Sequence, residues 1–138
     1  MKPILVDTGS LYTMVDRDDS WHDRTIAFLN MAHRQLVIPL TVLPEACYLI
    51  VSHLGEHVEV EFMQSVVRGE MKVEFLKRDD LIRTADVMAK YADAALGFVD
   101  ASVVAVAERL QIRELLTTDR RHFSLVRPRH CPRLELRP

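Results

Sequence analysis

Four carboxylates, Asp7, Glu45, Asp100 and Asp119, stand where short apolar runs give way to segments with helical patterning. In a parallel α/β layer, strand ends and the helix starts that follow them share one edge of the sheet, and ligands bind there. Acids far apart in the chain would meet at that edge, and four of them together repel one another unless a cation joins them. Oxygen donors favour Mg2+ or Mn2+, whereas zinc would call for His or Cys. Such an ion lowers the pKa of its bound water and offsets charge growing on phosphate oxygens. That chemistry suits phosphodiester hydrolysis with no Ser, Cys or His nucleophile. Singly, each acid has an innocent explanation: Asp100 could cap a helix, Asp119 could sit in a turn, and Glu45 could simply favour a helix dipole. The conjunction is the signal.

The elements that would position these acids are legible in outline. Pro3 to Val6 reads as a buried strand ending at Asp7, followed by turn chemistry at Thr8-Gly9-Ser10 and a helix over LYTMVDR. Ser20-Trp-His-Asp23 resembles a capping box opening a helix to about Arg34, with Ile26 and Leu29 on one face. LVIPL at 36–40 is a second strand, and Thr41 caps a helix that reaches Leu54 and stops at Gly55, with Glu45 near its start. A further helix covers about Glu56 to Arg68. MKVEFL at 71–76 alternates as a third strand, and Asp79 or Asp80 caps a helix with an apolar stripe at Leu81, Ala85, Met88 and Ala92. Asp100 opens the strongly apolar ASVVAVAERL, which reads as packed inside. Glu114 to Thr117 is a fourth strand delivering Asp119, and Arg133 to Leu136 a last edge strand. This alternation implies one three-layer α/β/α domain over residues 1–138, with a mostly parallel sheet of four to five strands.

Composition sets outer bounds. The 138 residues are 49% hydrophobic and 28% charged, which is ordinary for a globular chain and excludes a disordered one. No apolar run is long enough to span a bilayer, and the first residues lack the features of a secretory leader, so no membrane role is expected. Cys47 and Cys131 lack ligand spacing and read as two thiols in a reducing cytoplasm. Net charge is −2, yet Arg120, Arg121, Arg127, Arg129, Arg133 and Arg137 face only Glu135 in the tail. That tail could lean on nucleic-acid phosphates or form a solvated surface. The six histidines are dispersed and read as surface imidazoles, while Trp21, Phe28 and Phe62 read as core or interface residues.

Four segments, VDTGSLY around Asp7, PLTVLPEACYLI around Glu45, YADAALGFVDASVVAVAERL around Asp100 and LLTTDRRHF around Asp119, follow one another in an order that resembles the PIN-domain ribonucleases. The likeness is strongest to the VapC-type toxins of toxin–antitoxin pairs. The resemblance spans essentially the whole chain. It implies a PIN-like α/β/α fold and an endoribonuclease that uses Mg2+ or Mn2+, with Asp7, Glu45, Asp100 and Asp119 as its acidic set. Asp7, Asp100 and Asp119 would hold the metal. Thr117 matches the family's Ser/Thr two residues before the last acid, and Asp93 an additional acid seven residues before the third. Arg120 and Arg121 would contact RNA phosphates. The family also implies homodimerisation and neutralisation by a cognate antitoxin protein.

Three other readings compete with this one. A catalytically silent PIN-like module could use the same cleft to bind RNA or a partner protein, but an intact acidic set speaks against it. The DTGS string at Asp7 copies aspartic proteases, whose chemistry needs two such aspartates in an all-β setting. A phosphoacceptor receiver domain would need an acidic doublet after its first strand and a lysine after a late one, and neither is present.

Overall fold

A computed structural model describes residues Met1–Pro138. Five strands, β1 (Pro3–Val6), β2 (Gln35–Pro39), β3 (Lys72–Glu74), β4 (Glu114–Leu116) and β5 (Glu135–Arg137), form one sheet in the order β3-β2-β1-β4-β5. Every pairing is parallel, with Leu5 opposite Val37 on one side and Leu115 on the other. Seven helices connect them: α1 (Thr8–Val15), α2 (His22–Ala32), α3 (Val42–Leu54), α4 (Glu56–Val67), α5 (Arg78–Lys90), α6 (Phe98–Leu110) and α7 (Arg120–Leu125). The chain steps from β1 to β2 to β3 in one direction, then returns past β1 to β4 and β5. Right-handed crossovers running in opposite directions put their helices on opposite faces of a sheet. The order therefore reverses between β1 and β4, and Asp7 and Asp119 lie just beyond those two strands.

The central strands are apolar without alternation because both faces are covered. Ile4, Leu5 and Val6 have no exposed surface, and neither do Leu115 and Leu116. Helix α6 behaves as its composition implies: Ala101 to Ala107 are all buried, so this helix presents no solvent face over two turns. Its small and β-branched side chains allow close approach to α5 and β2. Together β1, β4 and α6 supply ten residues of a hydrophobic cluster of 24.

Several local expectations are corrected. Helix α1 starts at Thr8, directly after Asp7, because Thr8, Gly9 and Ser10 are helical and form no separate turn. Ser20 is exposed and caps nothing; α2 begins at His22. The buried face of α5 is Asp80, Thr84 and Val87, one residue out of register with the expected stripe, and Leu81 is left 49% exposed. The reason is polar satisfaction. The Asp80 carboxylate accepts from the Lys77 backbone N–H at 2.8 Å and from Arg109 Nε at 2.9 Å, while the Thr84 hydroxyl donates to the Asp80 carbonyl. The tail is fastened by its backbone, with the Arg129 N–H donating to Glu108 and the Arg127 N–H to the Tyr91 hydroxyl. Arg127, Arg129 and Arg133 themselves are exposed.

Candidate active site

Asp7 is the first residue past β1, and its N–H donates to the Leu116 carbonyl at 3.0 Å, continuing the β1–β4 ladder by one bond. The side chain is thereby fixed at the switch point, 5% exposed. Thr117, wholly buried past the end of β4, bridges two of the acids. Its hydroxyl donates to Asp7 Oδ2 at 3.1 Å and accepts from the Asp119 backbone N–H at 2.9 Å. Asp119 is the N-cap of α7, where its Oδ1 accepts from the His122 N–H at 3.0 Å. Asp100 lies half-buried in the first turn of α6. Ligand atoms of Asp100, Asp119 and His122 all lie within 4.8 Å of one another.

Electrostatics record the crowding. Burial first, then the charges of Asp100 and Asp119, push the Asp7 carboxyl up from 3.8 to about 7, against the opposing hydrogen bonds from the Thr8 backbone and Thr117. Asp100 is also raised, by burial first and then by Asp119 and Glu45. Asp7 Oδ1 is buried with no hydrogen-bond partner, and so is the Thr8 hydroxyl. An unpartnered carboxylate oxygen among like charges is a poor arrangement for an isolated protein. It is a fitting one for a hard divalent cation, which takes oxygen ligands and cancels the repulsion. None of the cavities of the molecule is lined by Asp7, Asp100 or Asp119.

The remaining expected residues fall in different places. Glu45 is exposed in the first turn of α3, close enough for its charge to act on Asp100. Thr41 stands at the N-cap of that helix as expected, but its side chain makes no cap bond: Ser102 Oγ donates to the Val99 carbonyl, so the Thr41 hydroxyl donates to Ser102 Oγ at 2.6 Å. That bond ties the helix of Glu45 to the helix of Asp100. Asp93 is exposed on a short 3-10 turn (Ala92–Ala94), and no hydrogen bond or ion pair links it to the other acids. Arg120 and Arg121 are exposed at the start of α7, with the Arg120 guanidinium donating to the Pro138 carbonyl.

Two contributors escaped the sequence reading. His122 was grouped with surface imidazoles, yet its Nδ1 lies 2.9 Å from Asp119 Oδ2. The spacing Asp119-x-x-His122 was a usable signal, since residues three apart meet at a helix start. Gly9 is the other: a Cβ there would stand 2.5 Å from the Thr118 hydroxyl, so α1 packs directly on the turn that carries Asp119.

A parallel α/β sheet with one buried and two half-buried acids beyond its switch point is an architecture whose ligands bind at that edge. The chain belongs to the PIN-domain family, whose profile matches residues 4–127. It is similar to Ribonuclease VapC26 of Mycobacterium tuberculosis (strain ATCC 25618 / H37Rv), 28% identical over 125 residues that cover 91% of this chain and 93% of that one. Among solved structures it is similar to the M. tuberculosis sarcin–ricin loop cleaving toxin VapC20, with TM-score 0.84 and 19% identity, covering 98% of this chain and 99% of that one. It is also similar to DNA-bound VapBC of Salmonella typhimurium, with TM-score 0.71 and 16% identity, covering 99% and 97% of the two chains.

Proposed function

We propose that this protein is a divalent-metal-dependent endoribonuclease and the toxin of a type II toxin–antitoxin pair. The observation that carries the reading is the cluster of Asp100, Asp119 and His122, to which Thr117 joins Asp7, a buried acid with an unpartnered oxygen that feels the charges of Asp100 and Asp119. The names of the relatives support RNA as the substrate class.

Asp7, Asp100 and Asp119 would hold Mg2+ or Mn2+, with His122 either joining them or fixing Asp119. When bound, the cation supplies Lewis acidity and an acidified water. Thr117 sets the rotamers of Asp7 and the position of Asp119 through its two hydrogen bonds. Glu45, on the solvent side, is available to take the proton from the attacking water. The new bond joins water oxygen to phosphorus and the bond to the ribose 3′ oxygen breaks, leaving a 3′-hydroxyl and a 5′-phosphate. Arg120 and Arg121 flank the acids and offer charge to neighbouring phosphates.

A cognate antitoxin and a second copy of the chain are the proposed protein partners, in the cytoplasm. Large apolar side chains left exposed support such contacts: Val60 at 53% and Val67 at 83% beside a groove of about 490 Å³ on α4, and Leu81 and Ile82 near the start of α5. VapBC complexes among the structural neighbours support the antitoxin. The test is direct. Purified protein free of antitoxin should cut structured RNA with Mn2+, and neither Asp7→Asn nor protein in EDTA should do so. Cleavage that survives both treatments overturns the reading.

A further inference from the structure

The acids account for hydrolysis but not for how an RNA chain is held, and one feature beside them has no part in the catalytic scheme. Trp21, the single tryptophan of the chain, was expected in the core or at an interface. It lies outside the core, half-buried just before α2, with two guanidinium groups against its ring. Arg24 lies 3.9 Å from the ring centroid and Arg120 lies 5.7 Å from it. Arg120 is the residue next to Asp119, and its side chain reaches from there towards the indole. Both arginines are exposed.

The segment that presents the indole is built to be rigid. The Trp21 N–H donates to Asp19 Oδ1 at 2.8 Å, the Asp18 N–H to Asp16 Oδ1 at 3.0 Å, and the Tyr12 hydroxyl to Asp16 Oδ2 at 2.6 Å. His22 Nδ1 meets the Thr13 carbonyl at 2.6 Å, pinning the start of α2 to α1. Arg24 stands in the first turn of α2, where the helix dipole disfavours a cation. Helix stability therefore does not explain its position. A half-buried indole stacked with exposed guanidinium groups matches what an unpaired nucleobase needs: planar π-surface, from the ring or from the arginine laid on it, and positive charge for the flanking phosphates.

We propose that Trp21, with Arg24 and Arg120, forms a stacking platform for one unpaired base of the RNA close to the scissile phosphate. This rests on the nuclease reading above. It makes Trp21 a substrate-positioning residue that favours single-stranded or looped RNA over continuous duplex.

Because the chain has one tryptophan, its emission reports on this ring without any substitution. In EDTA, which prevents cutting, a short unstructured oligoadenylate should quench Trp21 saturably, whereas inorganic polyphosphate, which lacks bases, should not. With Mn2+, Trp21→Ala should raise KM for a single-stranded substrate by about tenfold with kcat changed far less, as base–aromatic stacking would require. Trp21→Phe should keep most of the affinity, which separates lost stacking from lost folding. The proposal is overturned by unchanged emission when anisotropy reports the oligoadenylate bound, by equal quenching with polyphosphate, or by an unchanged KM in Trp21→Ala. If no RNA binds in EDTA, the KM comparison decides. A wild-type protein that cuts no RNA with Mn2+ sinks the nuclease reading instead, and the quenching experiment still stands on its own.

Discussion

Replacing Asp7 with asparagine should stabilise the cation-free protein above about pH 7, because the wild-type carboxylate ionises there in an unfavourable place. The folded protein holds this proton to about 7, whereas the ordinary value is 3.8. Between those limits the native state binds a proton that the unfolded chain has released, so stability falls as pH rises and levels off beyond about pH 7. At roughly 1.4 kcal/mol per pKa unit, the shift amounts to about 4 kcal/mol once Asp7 is fully ionised. Relaxation of the site and entry of water reduce it, and about 2–4 kcal/mol is the expected gain for Asp7→Asn in EDTA at about pH 8. For a chain of this length that is a rise in Tm of roughly 10 °C. Near pH 4 the Asp7 carboxyl is already neutral, and the two proteins should unfold together. Thermal unfolding followed by circular dichroism across this range is the assay. Mn2+ at a thousand times Kd should close or reverse the gap, since binding to the native state then stabilises by about 4.1 kcal/mol and the variant lacks a ligand. An Asp7→Asn protein that is no more stable than wild type at about pH 8, or whose stability has the same pH slope, would refute the reasoning.

Thr117→Val removes the donor to Asp7 and the acceptor for the Asp119 N–H; we expect a loss of about 2 kcal/mol and a stability–pH midpoint moved further up, read from the same unfolding curves. Gly9→Ala should cost about 1–2 kcal/mol by driving a methyl group into the Thr118 hydroxyl, and Thr118→Ala in the same chain should restore most of it in a denaturant titration. His122→Ala should weaken Mn2+ binding by about tenfold or more while leaving the fold intact, because Asp119 then loses the imidazole that orients it. Unchanged affinity in calorimetry would remove His122 from the site.

Strands β1 and β4 were legible because a buried parallel strand must be apolar on both faces, and each run closes on residues that point to an edge. Helix α6 was legible for the related reason that nothing in Ala101 to Ala107 can face water profitably. The α5 register was not, since Asp80 is buried only because Arg109, 29 residues away, reaches it. No local window contains that partner. Thr41 was legible as the N-cap of α3, but the partner of its hydroxyl was not, because Ser102 lies across the fold. The acids themselves could be read as a set, because topology rather than contact brings them to one edge. The contact of His122 with Asp119 was foreshadowed by their spacing of three, whereas the surroundings of Trp21 were not, because they depend on the packing of Arg120 on the indole.

The most direct test of that convergence is a calorimetric Mn2+ titration of wild-type protein beside Asp100→Asn. Saturable binding that Asp100→Asn abolishes, with Asp7 surrendering its proton as the ion enters below about pH 7, is the expected result. Equal binding by the two proteins, with no proton released, would contradict the claim that residues from β1, α6 and the β4–α7 turn share one cation.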